Sequence, residues 1–129
     1  MTIFSMWAQV LFAFSLFIYL PNVITFVVSS LIVAAKQFQM TVLMHDGAHG
    51  LMYKNRKLND FTSQWFCAFP VMTDTLPYRK VHSQHHKHTE TDKDPDIGLT
   101  KAFPTTKASL IRKFMRDLTG VAGLRRYFG

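Results

Sequence analysis

The first 35 residues contain no Asp, Glu, Lys or Arg, and this uncharged run limits the possible folds more than any other feature of the chain. Residues 3 to 20, IFSMWAQVLFAFSLFIYL, have only Ser and Gln as polar interruptions. As a helix they span about 27 Å, near the minimum for crossing a bilayer. A signal peptide fits less well, because no basic residue precedes the run and no small-residue cleavage site follows it. Pro21-Asn22 punctuates the chain, and VITFVVSSLIVAA (23 to 35) then resumes the apolar run. The pattern predicts an integral-membrane helical hairpin with spans over 3–20 and 22–44. Asn22 is the expected N-cap of the second helix, which reads without Pro or Gly to Asp46. Lys36 reads as a snorkelling residue near the membrane boundary, the helix continuing beyond the bilayer. A wholly embedded helix with a functional lysine is the alternative.

Charge is concentrated in the second half. Of the 15 Lys and Arg, only Lys36 precedes Lys54, so the net charge of +7 is local. Those basic residues adjoin an apolar segment and follow no nucleic-acid motif, which points to anionic lipid head groups and away from nucleic acid. The bias of Lys and Arg toward the cytoplasm puts this half, residues 45–129, on the cytosolic side. A single cysteine, Cys67, excludes an intrachain disulfide and a CxxC metal knuckle.

Residues 50 to 60 read as a polar turn opening a further segment. Residues 61 to 72, FTSQWFCAFPVM, are too short to span and read as an interfacial or re-entrant helix with Trp65 and Phe66 at head-group depth; a buried connector is the alternative. The acidic stretch from Thr89 to Asp96 ends a helix, since Pro95 disfavours helix at Asp94 and the Asp side chains bond local backbone. Asp94 and Asp96 are therefore expected to form the turn or anchor nearby basic residues. Beyond Pro104, Leu110, Ile111, Phe114, Met115 and Leu118 recur at helical spacing with Lys107, Arg112, Lys113 and Arg116 opposite, and Gly120 stops the pattern. This predicts a basic amphipathic helix on the membrane surface, or one packed on further protein.

All six histidines lie between His45 and His88. Residues four apart on a helix differ by about 40° around the axis, so His45 and His49 project from one face as a clamp. His82, His85 and His86 share an arc of roughly 100° and offer three more imidazoles. Imidazole suits iron, zinc, copper and nickel alike. Solvated surface histidines and bis-histidine haem ligation remain alternatives, though a haem explains a pair better than a triple. A zinc site of the HExxH kind lacks its general base here, because Asp46 is followed by Gly47-Ala48. Five imidazoles exceed one tetrahedral zinc, and two metals account for the number better.

With HDGAHG at 45–50, Arg79, HSQHH at 82–86 and KHTETDKDPD at 87–96, the chain resembles the membrane fatty acid desaturases and hydroxylases, a superfamily that includes carotenoid hydroxylases and ketolases. The resemblance runs from the second apolar helix onward. It implies an all-α membrane protein whose two His boxes sit in a cytosolic cap, and two non-haem irons that use dioxygen. The electrons would come from a donor such as cytochrome b5 or ferredoxin, and the substrate would be a lipid acyl chain. Carried over by position, the metal ligands are His45, His49, His82, His85 and His86. Asp46 is a candidate hydrogen-bond partner of a ligand imidazole. His88 falls outside HxxHH and is expected to sit behind the ligands or on the surface. The family carries a third His box that is absent after His88, so the chain is expected to be a partial desaturase domain, inactive alone. A non-enzymatic metal-binding membrane protein is the reading from a different class.

Overall fold

Pro21 has no backbone N–H to continue a helix, and the first helix, α1 (Ile3–Tyr19), ends just before it. Asn22 then caps α2 (Val23–His49): its side chain accepts from Ile24 N at 2.9 Å and Thr25 N at 3.0 Å, while Thr25 Oγ1 accepts from Asn22 N at 3.2 Å. This reciprocal capping box opens the helix where the sequence placed it. Near the turn, Phe17 and Phe26 meet edge to face at 5.6 Å, holding the two helices as a hairpin.

The computed structural model describes residues 3–128, and every regular element among them is helical. α3 (Arg56–Ser63) is capped by Asn55 and runs into a π turn (Gln64–Ala68) and a 3-10 turn (Phe69–Val71). Pro70 cannot donate to an α ladder, and Met72 closes the segment at φ 56. In α4 (Thr75–His88), Asp74 Oδ1 accepts from Leu76 N at 3.1 Å, and Pro77 is tolerated because it falls in the first turn. α5 (Ile97–Thr100), α6 (Lys107–Leu118) and α7 (Val121–Phe128) follow.

Two compact units divide the chain, the first ending at Gln84 and the second beginning at His85. In the first unit, Met6 and Val10 of α1 pack with Met40 and Met44 of α2 and with Cys67 and Ala68 of the π turn. Trp7 Nε1 donates to Phe66 O at 3.2 Å across the same contact. The rest of the hairpin stays apolar outward: Phe12 is 59% exposed and Leu31 66%. A surface of this kind is stable in lipid and aggregates in water.

Among the described residues, α2 is the one helix long and apolar enough to cross a membrane, with 27 residues and only 11% of its apolar stretch buried in the protein. That low burial separates it from the core helix of a soluble domain. α1 is apolar but has 17 residues, about 25 Å of helix. One detail differs from the sequence reading. α2 passes Asp46 and ends at His49, where Gly50 (φ 78) donates to the carbonyls of Asp46 and Gly47. α6 ends at Leu118 and Gly120 turns the chain at φ 74, the stop expected there, before the separate helix α7 begins at Val121. In the second unit, Thr106 caps α6, and its Leu110, Ile111, Phe114, Met115 and Leu118 are exposed.

Candidate metal centre

His45 and His49 occupy the last two turns of α2, and His82 lies past the middle of α4. The imidazoles of His45, His49 and His82 converge, with ring centroids 4.7 Å apart for His45 and His49, 4.6 Å for His45 and His82, and 5.0 Å for His49 and His82. One donor nitrogen from each lies within 4.8 Å of the others. His49 Nε2 and His82 Nε2 face each other at 3.1 Å. Two ligands at right angles on one metal, each about 2.1 Å from it, stand about 3 Å apart, so this spacing suits a shared ion. Tyr78 stacks on His82 at 5.0 Å with 14° between the planes and touches His45 at a centroid distance of 6.4 Å. Its ring limits how far either imidazole can turn. Asp46 Oδ1 lies 3.5 Å from His45 Nδ1, at the outer edge of hydrogen bonding.

His86 follows His82 by one turn of α4 and therefore shares its side of that helix. In the second unit, His85 Nδ1 bonds Asp94 Oδ1 at 2.8 Å, with Asp96 Oδ2 at 3.7 Å. Asp94 also accepts from the backbone N–H of Glu90 and of Asp96, so the turn expected of this residue and its anchoring of a basic neighbour are one structure. Holding Nδ1 against a carboxylate makes Nε2 the donor nitrogen of His85, the usual support for a metal-bound imidazole. His88 joins neither group of converging donors among the described residues.

The hydrogen bond that His85 donates to Asp94 holds the imidazole above its ordinary pKa of 6.5, against burial, which lowers it. Burial pushes the Asp94 carboxyl up, but the bonds from His85 and from the two backbone amides outweigh it and hold the group below 3.8. A raised histidine contributes fully below its ordinary pKa and loses that contribution as pH rises through the raised value. A lowered carboxylate contributes fully above its ordinary pKa and loses that contribution as pH falls through the lowered value. The pair therefore stabilises the metal-free chain most between 3.8 and 6.5. Thermal unfolding against pH is expected to show a maximum in that window that Asp94→Asn flattens; identical profiles would exclude the pair as its source.

A polar cluster in the first unit had no sequence signal beyond Arg79 itself. Arg79 Nε donates to Ala48 O at 2.7 Å and Nη2 to Gly47 O at 3.0 Å, while the guanidinium fork grips Asp60 at 2.5 and 3.2 Å. The hydrogen bond from Arg79 holds the Asp60 carboxyl below the usual range, against partial burial. Asn59, Ser63 and Thr75 are buried alongside: Asn59 Nδ2 donates to Gly47 O at 2.8 Å, and Ser63 and Thr75 share a 2.9 Å hydroxyl contact.

Fold and site define a membrane-associated helical protein whose histidines form groups able to hold metal. The family model for fatty acid desaturase matches residues 20–128. The chain belongs to the fatty acid desaturase family. No curated protein and no solved structure shows significant similarity to it.

Proposed function

We propose that this chain supplies one wall of a di-iron centre that desaturates fatty acyl chains with dioxygen. The observation that carries this reading is the convergence of His45, His49 and His82 at the end of an apolar helix, in a chain matched by the desaturase family. His45, His49, His82, His85 and His86 are the proposed ligands, with Asp46 and His88 outside the first ring of donors. Bound iron would supply dioxygen activation and the two-electron oxidation of a C–H bond. The protein's own part is to hold neutral imidazoles in place, with Tyr78 packed against His45 and His82 and Asp94 behind His85. Three clustered imidazoles suit one ion, and five fall short of two irons that each keep an open position, so the remaining donors come from outside these residues. The exposed apolar sides of α1 and α2 support a site that an acyl chain reaches from the bilayer. The bias of Lys and Arg toward the cytoplasm supports a cytosolic side for the His boxes, where an electron donor would reach them.

Gas chromatography of acyl chains tests the reading in cells expressing this chain with a complementary histidine-bearing segment. New unsaturated chains are expected, and His86→Ala should abolish them together with iron loading, whereas His88→Ala should leave most of the activity. Full activity in His86→Ala would overturn the ligand assignment. Hydroxylated lipid would move the reaction to hydroxylation on the same centre.

A further inference from the structure

The last four carbonyls of a helix have no partner within it, and the helix dipole makes that end attractive to a cation. In α2 these carbonyls lie between and beside the first two histidines. Gly47 O and Ala48 O, between His45 and His49, both accept from Arg79. Arg79 lies on α4, one turn before His82. Its remaining donors grip both oxygens of Asp60 on α3, so the planar fork is fixed on three helices at once. Lysine, a point charge on a flexible stem, cannot reproduce that fork.

We propose that Arg79 is a positioning residue: by binding the C-terminal carbonyls of α2 from α4, with Asp60 as its brace, it sets the separation of His45 and His49 from His82. The inference rests on the reading of these histidines as a metal site only for its consequence, not for its geometry.

Two measurements on the full chain in detergent micelles test it. The first places nitroxide labels at Val42→Cys and Lys80→Cys and reads their distance by pulsed electron resonance without metal. Cys67 is buried, with its thiol pushed up to about 11, and stays unlabelled. The second titrates Co(II) alone and follows its visible ligand-field bands. Asp60→Asn/Arg79→Gln removes the charge pair without leaving an uncompensated carboxylate. It is expected to broaden the distance distribution and to weaken Co(II) binding about 10- to 100-fold, the usual effect of losing a ligand's support. Arg79→Lys keeps a charge for Asp60 and decides the matter if the double variant does not fold: a broadened distance supports the fork. An unchanged distance in whichever folded variant is measured overturns the proposal. If the parent chain binds no Co(II), the metal reading fails, while the label distances still decide the role of Arg79.

Discussion

Replacing His82 with alanine is expected to weaken Co(II) or Fe(II) binding by more than about 100-fold, roughly 2.7 kcal/mol. The effect should exceed the 10- to 100-fold typical of residues that only support a ligand. His82 is the one member of the converging trio contributed by α4, and its Nε2 stands 3.1 Å from that of His49. Its removal takes away the imidazole whose Nε2 faces that of His49. Tyr78 also loses the ring on which it stacks, so its hold on that side of the site goes with the ligand. Metal content after dialysis of the purified chain measures the result, with His88→Ala as the control expected to retain metal. Equal metal content in His82→Ala and the parent would remove His82 from the site. Binding should also weaken as pH falls, because protons compete for every imidazole.

What the sequence made legible was local. The Asn22 cap and the helical setting of both histidine groups depend on neighbours a few residues apart, and both are present, though His85 turns to Asp94 and away from the group that His82 joins. The pairing of Asp94 with His85 was legible in kind, since a short acidic turn directly after a histidine helix can only fold back on nearby residues. The grip of Arg79 was not. Its partners are two backbone carbonyls more than 30 residues earlier and Asp60 on another helix, and a carbonyl leaves no trace in residue identity. The end of α2 was misplaced by three residues because glycine is a poor helix former in isolation. Tertiary contact reverses that preference at Gly47.

Gly47→Ala is expected to cost about 3 kcal/mol, the upper part of the usual range for overpacking, and to lower the unfolding temperature by about 10 °C. A Cβ added at Gly47 would fall far inside contact distance of Ser63 Oγ and Cβ and 3.0 Å from Met52 Sδ. Ser63 has no room to retreat, being fully buried with its hydroxyl bonded to Thr75 Oγ1. Ser63→Gly in the Gly47→Ala background should recover much of the loss, since it removes the atoms that clash and gives up only the hydroxyl's contacts with Thr75 Oγ1 and Met44 O. Thermal circular dichroism in micelles measures both, and an unchanged unfolding temperature in Gly47→Ala would mean that α2 and α3 do not meet as described. The expected result changes what the first histidine box means. Gly47 lies about 200° around α2 from His45, on the opposite side from the imidazoles. The small residue within HDGAH therefore has its reason behind the proposed metal site. It lets α3 approach closely enough for Asn59 to reach the carbonyl of Gly47, which Arg79 of α4 also binds, so the residue between the two proposed ligands serves their orientation by being absent as a side chain.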